Sequence, residues 1–401
     1  MRWPKVSIGS VAEILPGFAF KSTELGDHGT AVLKIGNIID DGTVDIQGVQ
    51  RLPRQHHLER HSKFELRNGD VIIAMTGATA GKAGRIRAND GEVFLLNQRV
   101  AKFCPRSVNP DYLWFVVSTD AYRNLFYGLG GGAAQPNMSG PQIASVEIPL
   151  PPDDVQERIA AILSAYDDLI ENNRRRIALL EEAARQLYKE WFVRFRFPGH
   201  EHVKIIDGVP EGWESTRLGN IVSTNSRSYS TKSLPEHLRY IDISAVNKGE
   251  ITLNSPISSE EAPGRARRIA RHGDVIWSNV RPNLRAYALV MNPDEIDVFS
   301  TGFTVLSSAV LPFSFLYLHT TTDAFVNYLV NHTTGASYPA VRPDDFERAD
   351  MIMPPENLLT AFHELCEPNF EMMAVLRQQA DQLAKARDLL LPKLMSGAIA
   401  V

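Results

Sequence analysis

The stretch whose residue types come nearest to chemistry is Thr76-Gly77-Ala78-Thr79-Ala80-Gly81-Lys82-Ala83-Gly84. Glycines with exposed N–H groups beside a lysine can cradle a phosphate, as a P-loop does. A P-loop, however, needs four residues between its glycines and a Ser or Thr after the lysine. Only three residues separate Gly77 from Gly81, and Ala83 has no hydroxyl to hold magnesium. The stretch is expected to be either a contact for a DNA backbone phosphate or a plain hairpin turn, and a nucleotide-dependent enzyme is the weakest reading of it. His56, His57 and His61 cluster with Glu59 at the spacing of a solvated turn, not of a zinc site. Pro343-Asp344-Asp345 fills the slot of Pro141-Gln142-Ile143 ahead of a helix, so it is read as a connector rather than a nuclease carboxylate pair. No nucleophile constellation and no dinucleotide or S-adenosylmethionine fingerprint stands after a strand, so no catalytic residue and no metal site is assigned.

Cations are more informative. Arg265, Arg267, Arg268, Arg271, Arg281 and Arg285 lie between Ala262 and Met291, opposed there only by Asp274. The run Arg281-Pro282-Asn283-Leu284-Arg285 stands where an earlier part of the chain has Thr76 to Ala80. In that earlier part the candidates are Lys82, Arg85, Arg87 and Arg99, with Asn97 and Gln98 as amides. Arginine to guanine, and Asn or Gln to adenine, are the pairings that major-groove geometry favours. Each of these arginines alone reads as a solvated surface residue; their matched placement points to DNA.

The matching extends along the chain. Trp3-Pro4-Lys5-Val6-Ser7-Ile8-Gly9 reappears as Trp213-Glu214-Ser215-Thr216-Arg217-Leu218-Gly219, and Gly69-Asp70-Val71-Ile72 as Gly273-Asp274-Val275-Ile276. Pro151-Pro152 has its counterpart in Pro354-Pro355, and Ala184-Arg185 in Ala386-Arg387. The offset drifts from about 210 to about 202 residues, as two like halves with small loop deletions would show.

Short apolar runs such as Val32-Leu33-Lys34-Ile35 and Val71-Ile72-Ile73-Ala74, split by Gly, Asp and Asn, predict strands. A helix is expected near Asp111–Tyr127, with Tyr112, Phe115, Val116 and Leu125 on its apolar face. A long helix follows each diproline. The first has the seam Ile159, Ile162, Tyr166, Leu169, Asn173, Ile177, Leu180, Ala184, Leu187, Trp191, and Asp153 or Asp154 is expected to cap it. The second reads Phe362, Cys366, Asn369, Met373, Leu376, Ala380, Leu383, Arg387, Leu390, with Pro368 expected to kink or break it. Stripes so narrow suit another helix, so the two rods are expected to pair; docking on each half's own globular part is the alternative.

With 44% hydrophobic and 22% charged residues over 401 positions, the chain has the composition of an ordinary globular protein. No apolar stretch is long enough to span a bilayer and no signal pattern is present, and two cysteines fit a reducing cytoplasm. The net charge of −5 argues weakly against nucleic acid, unless partners supply phosphate-neutralising charge.

Gln135-Pro136-Asn137-Met138-Ser139, Ile148-Pro149-Leu150-Pro151-Pro152, Leu187-Tyr188-Lys189-Glu190-Trp191-Phe192 and the ending Leu390-Leu391-Pro392-Lys393-Leu394-Met395-Ser396-Gly397 together carry a resemblance. Over essentially its whole length the chain resembles the DNA specificity subunit of type I restriction–modification systems. The resemblance implies an α+β fold: two globular target-recognition domains joined by two long antiparallel coiled-coil helices in a pseudo-twofold internal repeat. The domains would be 1–152 and 198–355, the spacer helices 153–197 and 356–401. It further implies a non-catalytic, cytoplasmic subunit. Each domain would read half of a bipartite double-stranded DNA site, while methyltransferase and endonuclease–translocase subunits bring S-adenosylmethionine, ATP and magnesium. Arg174, Arg175, Trp191 and Phe192 are the candidates for docking such subunits, or else form a helix end packed on its own domain. A coiled-coil adaptor that binds only proteins is the alternative. Ala336-Ser337-Tyr338-Pro339-Ala340 departs from Gln135-Pro136-Asn137, so the role of that loop does not carry across from one half to the other.

Overall fold

In the computed structural model, residues 3–39, 42–46, 48–89, 91–130, 136–230, 233–335, 337–399 and 401 are described; Gln135 and Ala336, which the sequence singled out, lie outside them. The chain divides into two compact units, Met1–Glu171 with Asp381–Val401, and Asn172–Ala380. Each unit therefore takes a stretch of both long helices, a division that cuts across the four segments read from the sequence.

The first unit carries a four-stranded antiparallel sheet in the order Ala12–Pro16, Val100–Pro105, Val71–Ala74, Ala83–Arg85. A second sheet runs Arg51–Leu52, Thr30–Leu33, Phe94–Leu96, Glu65–Leu66, its central pair parallel. Val71–Ala74 is apolar throughout because both of its faces are buried. Val71 and Ile73 enter one core with Phe103 and Tyr112, whereas Ile72 and Ala74 enter another with Leu33 and Leu96.

The second unit repeats this plan with other residues. Its antiparallel sheet is Ser223–Thr224, Phe303–Ser307, Val275–Ser278, Tyr287–Leu289, and its mixed sheet is Ile257–Ser258, His237–Ile241, Asp297–Ser300, Ala266–Arg268, again with a parallel central pair. Val275 and Trp277 face one core and Ile276 another. The two-stranded pairs Lys5–Ser7 with Glu147–Pro149, and Glu214–Arg217 with Asp350–Met353, correspond in the same way.

The helix expected near Asp111–Tyr127 is two helices, Pro110–Val117 and Asp120–Leu129. Thr119 ends the run by accepting the Tyr122 N–H as an N-cap, and the turn of phase this introduces leaves Leu125 exposed while Phe126 is buried. The first long helix spans Asp153–Tyr188 and closes in a π-turn, Lys189–Val193. Asp153, offered by the sequence as a cap, is thus its first residue, and the cap position falls one residue earlier, on Pro152. The Pro152 carbonyl accepts the Val155 and Gln156 N–H groups, and Asp153 and Asp154 sit in the first turn, where carboxylates favour the helix dipole.

The seam of this helix is displaced over its first half. Leu163, Asp167 and Ile170 are buried, while Ile162 and Leu169, one position away on each turn, are exposed. The second long helix runs unbroken from Glu356 to Met395, through both Pro368 and Pro392. A helix-interior proline costs about 3 kcal/mol. Phe362, Cys366, Phe370 and Met373 are all buried around Pro368, and burial of this order offsets that cost. Burial also pushes the Cys366 thiol up to about 12.

Within the first unit, Ile159, Ala160 and Leu163 of the first long helix share a core with Leu394 of the second. Within the second unit, Ile177, Ala184 and Tyr188 share one with Phe362, Phe370 and Leu376. In each unit, then, one helix stripe is covered by the other helix together with the unit's own helices and sheet.

Candidate nucleic-acid interface

Three segments converge at the end of the antiparallel sheet in each unit. In the first, the strands Val71–Ala74 and Ala83–Arg85 are joined by the loop that holds the Gly77–Thr79 turn. This loop is a hairpin connection, as the plainer reading of Thr76–Gly84 has it. Gly77 N–H donates to the Pro136 carbonyl at 3.0 Å, and Met75 N–H to that of Arg99 at 2.9 Å. The Asn97–Arg99 turn and the Pro136–Asn137 segment are thereby held beside the hairpin loop.

In the second unit the hairpin between Val275–Ser278 and Tyr287–Leu289 holds the Pro282–Leu284 turn. Arg281 N–H donates to the Pro339 carbonyl at 2.8 Å, and Asn279 N–H to that of Gly302 at 2.8 Å. Thr301 N–H in turn donates to the Arg265 carbonyl at 2.8 Å, which draws Arg265 to the same end of the unit. The Tyr338–Ala340 segment, which looked unlike its counterpart in sequence, thus occupies the same place. The bridges Thr76↔Asn137 and Val280↔Ala340 mark the correspondence.

The two hairpin loops share one backbone. A single sequence offset relates Val71 to Val275, Gly77 to Arg281 and Gly81 to Arg285. Ala80 N–H donates to Gly77 O at 3.0 Å, and Leu284 N–H to Arg281 O at 2.8 Å. Gly77 and Gly81 have φ of 74° and 83°; Arg281 and Arg285, at the same places, have 49° and 58°. Left-handed backbone is free of steric cost for glycine but costs about 1–2 kcal/mol for a residue with a Cβ.

The candidates separate by what already holds them. Arg85 is ion-paired with Asp111, and Arg87 lies 3.8 Å from both Asp167 and Asp168, so carboxylates of the same unit already neutralise these charges. Arg285 is pinned by Asp323 in the same way. Arg267 donates to the Ala266 carbonyl at 2.7 Å. Arg268 donates to the Ser228 hydroxyl at 3.0 Å, and burial lowers its pKa. Asn97 is buried and Lys82 half-buried. Gln98, Arg99, Arg265, Arg271, Arg281 and Asn283 remain exposed. Arg281 lies over the ring of Tyr338, its guanidinium carbon 5.4 Å from the centroid, and Tyr338 is itself 62% exposed. Neither Tyr338 nor the exposed Leu284 figured among the residues singled out for DNA, and the sequence set Arg281 against Thr76, one place off the register with Gly77 that the structure shows.

Other expectations need correction. Trp191 and Phe192 are buried in the core of the second unit, packed against Phe362 at centroid distances of 5.8 and 4.8 Å, and so present no docking face. Their aromatic bulk is what closes the helix end against its own unit; Arg174 and Arg175 are exposed. His61 does not lie in a solvated turn. It is 3% exposed, packed at an angle against the rings of Phe18 and Phe20, and its pKa is lowered by burial and by Arg60. Among the described residues no group of His, Cys, Asp and Glu could hold a metal ion, and no helix is long and apolar enough to cross a membrane.

The model of the type I restriction modification DNA specificity domain matches residues 2–182. The type I restriction enzyme MjaIX specificity subunit of Methanocaldococcus jannaschii is 27% identical over 76% of this chain and 73% of its own. The MjaVIII specificity subunit of the same organism is 22% identical over 78% and 77%. Among solved structures, the type I restriction–modification S subunit from M. genitalium superposes with a TM-score of 0.59 at 16% identity, covering 98% of this chain and 96% of that one, a likeness of fold. Over residues 2–182 the chain thus matches the type I restriction modification DNA specificity domain, and over about three quarters of its length it is similar to type I restriction enzyme specificity subunits.

Proposed function

We propose that this chain is the sequence-reading, non-catalytic subunit of a type I restriction–modification complex, and that each unit reads one half of a bipartite double-stranded DNA site. One observation carries the reading: the same three-segment surface occurs twice on the same backbone, yet with unlike exposed side chains. Gln98 and Arg99 stand out in the first unit, and Arg281 and Asn283 in the second. A surface kept in shape and changed in chemistry suits two different half-sites.

On this reading the catalytic work belongs to modification and restriction subunits, which would bring S-adenosylmethionine, ATP and magnesium, and the complex acts on DNA in the cytoplasm. The long helices would set the spacer and dock the modification subunits, with Arg174 and Arg175 among the docking residues.

Footprinting of the chain with its modification subunits, on a target located by mapping methylated bases in the source genome, tests the proposal. Two protected patches separated by unprotected base pairs are expected. A single patch, or none, overturns the bipartite reading. Deleting whole turns from one long helix is expected to change the spacer tolerated and leave the half-site sequences unchanged.

A further inference from the structure

The hairpin loop of the second unit is over-determined in a way that its counterpart is not. Its two left-handed positions carry Arg281 and Arg285 where the first unit has Gly77 and Gly81. The fold needs no side chain at either place, since the glycine version makes the same turn. Strained non-glycine positions persist where the surroundings enforce them, and they concentrate where side chains are used.

Here the surroundings enforce them at both ends. Arg281 is tied through its N–H to Pro339 and through its guanidinium to the Tyr338 ring. Arg285 is anchored by Asp323. Between these anchors the turn presents Asn283 and Leu284 outward, and Leu284 is 57% exposed. At the place of Leu284 the first unit has Ala80, which is 2% exposed, so a leucine there is not required by the packing of the fold.

A lone exposed leucine means little. This one stands next to an amide and three positions from a guanidinium, on one rigid turn. Together they supply the three kinds of group that read major-groove edges: a donor pair for guanine, a donor–acceptor pair for adenine, and an apolar contact for the thymine methyl. We infer that the Arg281–Arg285 loop reads neighbouring base pairs in the major groove of one half-site, with Leu284 seated against a thymine C5-methyl group. Arg285 then serves as the anchor of the loop and Tyr338 as the platform that orients Arg281. The inference rests on the DNA-reading function proposed above.

The test uses the full chain assembled with its modification subunits on the mapped target. Each thymine of the two half-sites is replaced in turn by deoxyuridine, which removes only the methyl group. At one thymine the substitution is expected to weaken binding by wild type about fivefold. Leu284→Ala, at an exposed site where the denaturation midpoint should not move, is expected to bind the thymine and uracil duplexes equally. If no thymine shows the loss, or if Leu284→Ala retains it, the inference is overturned while specific binding of the unmodified target stands. Absence of any sequence-specific binding by wild type would overturn the proposed function, and the inference with it.

Discussion

Arg387, near the end of the second long helix, donates to the Asp167 carboxylate of the first at 2.6 Å. Asp167 occupies a seam position and is 8% exposed. Its other oxygen accepts from the Trp114 indole N–H at 3.4 Å, with Arg87 at 3.8 Å. One buried charge thus ties both long helices to the globular part of the first unit. Removing Arg387 leaves this buried carboxylate only the longer contacts to Trp114 and Arg87, at a cost of up to about 3–5 kcal/mol. Arg387→Ala is expected to lose stability of that order in urea denaturation, and Arg387→Met combined with Asp167→Leu markedly less. A double variant as unstable as the single one would show that the pair is not the source of the loss.

His319 supplies a pH dependence. Its Nδ1 hydrogen-bonds with the Tyr188 hydroxyl at 2.9 Å, its Nε2 is shut away from solvent without a partner, and burial lowers its pKa to about 4 from an ordinary 6.5. The unfolded chain therefore takes up the proton first, and acid favours unfolding. The stabilisation is whole above 6.5 and is lost as the pH falls toward 4, amounting to about 3 kcal/mol. Denaturation midpoints of wild type and His319→Gln, compared between those two values, should show the variant with the shallower loss. Parallel curves would refute the assignment.

At Arg281 stability and recognition should come apart. Arg281→Gly relieves left-handed strain but loses the stacking on Tyr338 and frees the unfolded chain, so its unfolding free energy is expected to stay within about 0.5 kcal/mol of wild type. Binding to the cognate half-site should fall by about 1–3 kcal/mol if the guanidinium reads a base. An equal loss on every sequence would mark a phosphate contact instead.

The displaced seam is checked by neighbours. Ile170 is 6% exposed and Leu169 54%. Ile170→Ala should cost about 2–5 kcal/mol in unfolding free energy, and Leu169→Ala less than about 0.5 kcal/mol. The opposite ranking would restore the seam read from the sequence.

That seam shows where the sequence stopped being legible. The duplication, the strands and the two long helices could all be read from periodicity and from repeated words. The phase of the first helix could not. Ile162 and Leu169 are as apolar as Leu163 and Ile170, and the position that decides between the stripes is Asp167, a charge whose burial depends on Arg387, far away in the chain. Trp191 and Phe192 misled for a related reason: aromatic residues at a helix end look alike whether they face a partner or their own core. At the interface, the types and matched positions of Arg281 and Asn283 were visible, but the commitment of Arg85 to Asp111 and of Arg285 to Asp323 was not. Such pairings are made by tertiary contact, over separations that local patterns do not encode.

The division of the chain has a consequence for its synthesis. Asn172–Ala380 is one continuous stretch, whereas the other unit joins Met1–Glu171 to Asp381–Val401. On the ribosome the part made first must wait for the part made last: Leu394 is 2% exposed in the core that holds Ile159 and Leu163, and Arg387 is the partner of Asp167. The continuous unit can close while the discontinuous one still has an open seam and an unneutralised carboxylate. Maturation of the first unit is thus gated by synthesis of Asp381–Val401, and a nascent chain that stalls before Asp381 exposes that seam to aggregation.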